Sequence, residues 1–229
     1  MNENNNRVYQ RRSVFEEHFT DLKKDLFRMK NLVCVAVERS IEALEKRNLV
    51  QAREVRKNDQ EINDLRWKIE EKCIHLIATQ QPVATDLREL IAILNIITDL
   101  ERMGDYASGI SKIVIRIGDE EPIKRLIDIP RMAEISVEMI HESLNAYELR
   151  DDKAARETSA RDDMLDELYK QIQRELISIM IEDPKKITRS TYLLWVSHNL
   201  ERIGDRVTNI CERIVFLVTG EMTENISNE

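Results

Sequence analysis

Two stretches of this 229-residue chain carry apolar side chains on an unbroken 3–4 spacing. The first is Ile93, Ile96, Leu100, Met103, Ala107, Ile110, Val114 and Ile117. The second is Leu193, Val196, Leu200, Ile203, Val207, Ile210, Ile214 and Leu217. This spacing belongs to helices that pack nearly in line against antiparallel neighbours. Only 5 glycines and 4 prolines interrupt the chain, and 34% of its residues are charged, which extends the expectation to long helices throughout.

Helix punctuation divides the chain into six segments. The first spans about 10–47. Asn48, with Gln51 three residues on, reads as the N-cap of a second that runs to about Thr79. QQPVATD breaks the chain, with Pro82 suited to a first turn, and a third segment runs to about Ile117. GDEEP at 118–122 is a linker. A fourth segment has Pro130 near its start and ends near Arg150, and Asp151 caps a fifth that reaches about Ile181. EDP at 182–184 is a cap and turn, and a sixth segment runs to about Thr219.

The two halves repeat. A shift of 103 lays Met29 on Met132, Ile41 on Leu144, Asp59 on Asp162, Leu65 on Leu168 and Ile69 on Ile172. Beyond the proline turn the shift is 100 and superposes Leu100 on Leu200, Glu101 on Glu201 and Asp105 on Asp205. The three missing residues fall at a turn, where deletions cost least. The expected fold is all-α: two tandem, similar antiparallel three-helix bundles, at 10–117 and 123–219. Polar tails at 1–9 and 220–229 are expected to be disordered.

The repeat also duplicates a motif, DLERMGDY at 99–106 and NLERIGDR at 199–206. At 100° per residue Glu101 and Asp105 stack one turn apart on a face away from the apolar stripe, as do Glu201 and Asp205. Such a pair repels by about 0.2–0.5 kcal/mol, and a mid-helix glycine costs about 1 kcal/mol against alanine. Both copies keep both penalties. A cation would reward paired carboxylates, and Gly104 and Gly204 would leave room for it. Folding each hairpin back at its turn brings Asp59 and Asn63 level with Asp105 and Glu101, and Asp162 and Asp166 level with Asp205 and Glu201. His198 shares the face of Glu201, so the second cluster is expected to hold metal more tightly. The plain alternative is that these pairs only face water, with Arg102 and Arg202 as salt-bridge partners.

Other chemistry finds little footing. The net charge of −8 disfavours a nucleic-acid backbone, whose affinity rests on Lys and Arg. Three scattered cysteines, Cys34, Cys73 and Cys211, read as small core residues of a reduced, cytoplasmic protein. The polar N-terminus does not resemble a signal peptide, and IAILNII is too short to span a membrane. Trp67 and Trp195 read as core or seam aromatics. A ferritin-like enzyme needs Glu-x-x-His on two helices facing a bundle core. Only Glu138–His141 has that spacing, so no enzyme is expected.

QQPVATDLRELIAILNIITDLERMGDYASGI resembles the signature region of the PhoU family, and the duplicated layout extends that resemblance over about 10–219. The second copy keeps NLERIGDRVTNI but lacks the Gln-Pro-x-Ala-Thr-Asp-Leu-Arg run. The resemblance implies a negative regulator of phosphate uptake and phosphate-starvation signalling. Such a protein is an adaptor between the ATPase subunit of a phosphate ABC transporter and a sensor histidine kinase, peripheral to the membrane at most. It also implies iron or zinc on the outer carboxylates, with manganese or magnesium as oxygen-ligand alternatives. Carried over, the metal residues are Glu101, Asp105 and Asp59 in the first half, and Glu201, Asp205, Asp162, Asp166 and His198 in the second. Asn63 departs from the family's usual acid. A homodimer is expected. A metal-independent adaptor is the alternative reading.

Overall fold

A computed structural model describes the backbone of residues 3–221 and the side chains of residues 15–221. Every long element among them is an α-helix: α1 (Glu3–Lys46), α2 (Leu49–Gln80), α3 (Thr85–Ile117), α4 (Asp128–Leu149), α5 (Asp152–Ala160), α6 (Asp162–Glu182) and α7 (Ile187–Thr219). A single 3-10 turn, Pro184–Lys186, precedes α7.

Local chemistry accounts for most of the boundaries. Asn48 caps α2 by accepting from the Gln51 amide at 3.1 Å, and its own side-chain amide donates to Gln51 Oε1 at 3.3 Å. Asp151 caps α5 by accepting from the amides of Lys153 and Ala154 at 3.0 Å. Asp183 accepts from the Lys185 amide, and Pro184 opens the 3-10 turn. Arg47, Gln81 and Arg150 end their helices in the left-handed region, with φ of 53°, 49° and 53°.

The chain departs from the sequence expectation at four places. Residues 3–9, expected as tail, belong to α1, because neither glycine nor proline occurs before Pro82 to stop the helix. Residues 222–229 of the other expected tail lie outside the described residues. The linker runs on to Ile127, since Ile123 and Leu126 pack on the core in irregular backbone before α4 starts. Pro82 lies before the first turn of α3, not in it.

The fourth departure is the expected fifth segment, which breaks at Arg161. The amide of Arg161 bonds back to the Thr158 carbonyl and that of Met164 to the Arg161 carbonyl, both three residues apart. This tightened turn has no counterpart in α2, which is continuous. Such local 3-10 geometry marks strain or a functional constraint.

α1, α2 and α3 form one antiparallel bundle, and α4, α5–α6 and α7 the other. They lie side by side and share one continuous core. Within each, the 3–4 stripe is inside: from Ile93 to Val114 and from Leu193 to Leu217 every stripe residue is buried. α3 and α7 meet along the middle, and α1 packs on α4. Asp99 contacts Arg206 and Asn209, whereas Tyr106 lies beside Arg202 and Gly109 faces Asn199. As numbers rise on α3 they fall on α7, so the motif helices run antiparallel and the two halves are related by a pseudo-twofold.

Cys34, Cys73 and Cys211 are free and buried, and burial pushes the Cys34 and Cys73 thiols up to about 12. The tryptophans lie elsewhere than expected: Trp67 is 61% exposed and Trp195 45% exposed. Trp67 falls two residues from both Leu65 and Ile69, about 200° around α2 from the buried stripe, and the Arg66 guanidinium stacks on it at 4.5 Å. Trp195 packs its ring against Tyr192 on the surface.

Candidate metal centres at the duplicated carboxylates

Each half brings acids from two helices to one glycine. In the first, a Cβ built on Gly104 would lie 3.5 Å from Asp59 Oδ1, so α2 presents Asp59 to the α3 turn that carries Glu101 and Asp105. Burial, then the charges of Asp105 and Glu101, raise the Asp59 pKa. Burial and Asp105 raise that of Glu101. Asn63 is half-buried in the place where the second half has Asp166. Arg102 lies 3.9 Å from Glu101 and 3.8 Å from Asp105, too far to bond either well.

The second cluster is tighter and more heavily charged. At Gly204 the same construction falls only 2.3 Å from Asp162 Oδ1 and 2.6 Å from Leu165 Cδ1. Asp162 thus occupies the space a side chain at 204 would need. Its pKa rises to about 7, first through burial and then through Asp205, Asp166 and Glu201. Burial and Asp205 likewise raise Glu201. The Glu201 and Asp205 side chains are 19% and 34% exposed, against 21% and 43% for Glu101 and Asp105. All four therefore sit on the bundle surface but sunk into it, where repulsion is screened less than in open water.

Two oxygens of the second cluster are buried without a hydrogen-bond partner, Asp162 Oδ1 and Glu201 Oε2. The His198 Nδ1 stands 3.3 Å from that same Glu201 oxygen but is not aligned to bond it. Unpartnered buried carboxylate oxygens are costly, and a cation is one way to satisfy them. Against this, among the described residues no three His, Cys, Asp or Glu side chains converge to coordinating distance. Arg202 also donates to Asp205 Oδ2 at 2.7 Å, taking up one acid of the set. The donor set fits a hard or borderline cation in composition, and the acids stand apart as like charges do.

The sequence reading missed what holds Asp162 in place. Arg161, at the break between α5 and α6, donates to Glu138 at 2.5 Å and also to Glu142, both on α4. Glu138 and Glu142 lie four residues apart on one face, a spacing that could have suggested a shared cation. Arg202 lies beside Tyr106 across the α3–α7 contact, bringing the second cluster next to the other half. The Glu138–His141 pair does not act together. Glu138 takes Arg161, whereas His141 Nδ1 accepts from Lys30 Nζ at 3.1 Å, and burial followed by the Lys30 charge lowers the His141 pKa.

The PhoU domain profile matches residues 26–114 and again 129–214, one match to each bundle. The chain belongs to the PhoU family. A phosphate-specific transport system accessory protein PhoU homolog from Clostridium acetobutylicum is 41% identical over 214 residues, covering 93% of this chain and 98% of that protein. The homolog of the same description from Aquifex aeolicus is 38% identical over 212 residues, covering 93% and 96%. Two crystal structures have the same fold. PhoU from Pseudomonas aeruginosa matches with a TM-score of 0.86 at 33% identity, over 90% of this chain and 100% of that one. The phosphate transport system regulatory protein PhoU from Streptococcus pneumoniae matches with a TM-score of 0.85 at 30% identity, over 92% and 99%. In this PhoU-family chain each domain thus carries one copy of the carboxylate motif on its last helix.

Proposed function

We propose that this chain is a regulatory accessory protein of phosphate uptake that works by docking, not by turnover. The observation that carries the reading is the double PhoU-domain match, together with relatives described as phosphate transport accessory proteins that the chain covers almost end to end. Its partners are the ATPase subunit of a phosphate ABC transporter and a sensor histidine kinase at the cytoplasmic face of the membrane. It restrains uptake and phosphate-starvation signalling, and it acts as a homodimer. No described helix is long and apolar enough to cross a membrane, so contact with membrane partners runs through their exposed parts. Deleting the gene should raise phosphate uptake and derepress phosphate-starvation genes in phosphate-rich medium. Unchanged uptake together with intact repression would reject the regulatory role. Sedimentation velocity reads the homodimer directly.

Iron or zinc is proposed on the two clusters, with manganese or magnesium as alternatives. Asp162, Asp166, Glu201, Asp205 and His198 would hold the second ion, and Asp59, Glu101 and Asp105 the first. Bound there, a multivalent cation supplies positive charge and fixed coordination directions to an acidic surface. The chain's own contribution is the packing of Asp162 against Gly204 and the Arg161 tether to α4. The double variant Glu201→Ala/Asp205→Ala should lose metal in protein purified without chelator while keeping its helical circular dichroism. A collapse of helix would show these acids to be structural instead.

One observation favours a metal-independent adaptor as a second reading: the 2.7 Å bond between Arg202 and Asp205 already neutralises part of the cluster. Protein free of iron, zinc and manganese that still binds its partners would decide for it.

A further inference from the structure

The two carboxylate clusters differ most in what α2 and α6 bring to them. Asp59, Asn63, Arg66 and Glu70 follow one another at intervals of four, three and four, so they line one flank of α2. The same flank of α6 carries Asp162, Asp166, Tyr169 and Gln173. Each flank lies against its motif helix: a Cβ on Gly104 would stand 3.0 Å from Ile62 and 3.5 Å from Asp59, and one on Gly204 would stand 2.3 Å from Asp162. With Ile62 level with Gly104 in an antiparallel pair, Arg66, one turn further along α2, comes level with Glu101 on α3. At positions 63 and 66 the first half holds Asn and Arg, where the second holds Asp and Tyr. The first pair sums to one positive charge and the second to one negative charge.

Arg66 is held in place without being satisfied. Its guanidinium stacks on the Trp67 ring at 4.5 Å, and its Nη2 stands 3.4 Å from Glu70 Oε2. Its Nε is buried and has no hydrogen-bond partner, and neither has that Glu70 oxygen. The Arg66 charge is felt at Glu101: burial and Asp105 raise the Glu101 pKa, and Arg102 and Arg66 oppose the rise. In the second half position 169 is an uncharged ring, 6.0 Å from the His198 ring. There the charges that oppose the rise at Glu201 come from His198 and Arg202, both on its own helix. The first cluster thus carries a cation of the chain's own on the neighbouring helix, where the second carries a tyrosine.

We propose that Arg66 is the resident cation of the first cluster and competes there with the metal, so that the residue at 66 and 169 sets the difference in metal affinity between the two halves. The inference rests on the metal reading of the clusters. A guanidinium and a divalent ion that approach the same carboxylate repel each other, and in a site sunk into the surface that repulsion is only partly screened. A tyrosine puts no such charge in the ion's way. The rival account gives the whole difference to Asn63, a lost ligand, and makes Arg66 a bystander.

Zinc is the probe, counted by metal analysis after equilibrium dialysis of the full chain stripped with chelator. Glu201→Ala/Asp205→Ala serves as the background, because it leaves the first cluster as the centre to be measured. In that background Arg66→Gln should tighten zinc binding about tenfold, the weight of one partly screened charge beside a divalent ion. Arg66→Lys keeps the charge and should bind as the background does. Arg131→Gln, at an exposed site on α4, makes the same change of net charge far from the cluster and should also leave binding unchanged. Adding Asp59→Ala to Arg66→Gln should abolish the gain. Circular dichroism checks that every variant keeps its helices. Three results would each overturn the inference: no gain in Arg66→Gln, an equal gain in Arg66→Lys or Arg131→Gln, or a gain that survives Asp59→Ala. The metal reading fails separately, if the parent and the Glu201→Ala/Asp205→Ala background bind zinc alike. Loss of the tighter ion in the background with no gain from Arg66→Gln would overturn this inference alone.

Discussion

Replacing a glycine by alanine inside a helix ordinarily stabilises a protein by about 1 kcal/mol. Gly204→Ala should do the opposite. The new Cβ would meet Asp162 Oδ1 at 2.3 Å and Leu165 Cδ1 at 2.6 Å. Asp162 can rotate outward, but Leu165 is fully buried and must push α6 away from α7 to give ground. Overpacking of that kind costs about 1–3 kcal/mol, so a net loss of about 1 kcal/mol is expected. Gly104→Ala meets only Ile62 at 3.0 and 3.3 Å and Asp59 at 3.5 Å. There the two effects should cancel to within about 0.5 kcal/mol. Urea unfolding of both variants in the presence of chelator, followed by circular dichroism, separates them through the midpoint at constant m. In a chain of this size about 1 kcal/mol is roughly 2–4 °C in Tm. The cost of Gly204→Ala should also shrink in an Asp162→Ala background, because one of the two colliding atoms is gone. Equal shifts at both glycines, or a stabilised Gly204→Ala, would refute the claim that Asp162 is lodged where a side chain would be.

Two further outcomes follow from buried acids. With its pKa raised to about 7, Asp162 in the folded, metal-free chain still binds a proton that the unfolded chain has released between about pH 4 and 7. Stability should therefore fall as pH rises through that window and level off above it. Sealed from water the effect would reach about 4 kcal/mol; solvent reaches the site and screens it to about 1–2 kcal/mol. Asp162→Asn should remove this part of the pH dependence, and parallel curves for the two proteins would rule it out. Glu89, buried in α3, joins Lys23 of α1 at 2.7 Å to Tyr147 and Arg150 at the end of α4. Glu89→Ala should cost about 3 kcal/mol by leaving those groups unpaired, and a change below 1 kcal/mol in thermal unfolding would show the tether to be slack.

What could be read in the residues, and what could not, divides by range. The stripes from Ile93 and Leu193 were legible because a 3–4 spacing repeats within each helix and does not depend on the partner. The hairpin register was legible because the turns at Gln81 and Asp183 fix which residues come level; Asp59 beside Gly104 follows from counting. Trp67 was misread because hydrophobicity was given more weight than its angle on α2. The break at Arg161 was not legible because the contacts made there are not local: the arginine bonds Glu138 and Glu142, about twenty positions earlier. The buried acids were hidden for a related reason. Glu89 and Asp99 lie on faces of α3 that one bundle alone would leave to water, and they are covered by the other half. There the repeat stops being a guide. Asp99 meets Arg206 and Asn209, while its counterpart Asn199 lies beside Gly109, where a Cβ would stand 3.4 Å from its Oδ1. The pseudo-twofold repeats each contact of the α3–α7 seam with the roles exchanged, position 99 against 209 and position 199 against 109, and the two versions hold different pairs, Asp99 with Asn209 and Asn199 with Gly109. Divergence at Asp99/Asn199 and Gly109/Asn209 is paired across the seam, so that a carboxylate in one version meets an amide donor and a glycine in the other makes room for an asparagine, whereas the two copies stay alike at Glu101/Glu201 and Asp105/Asp205, which face away from that seam.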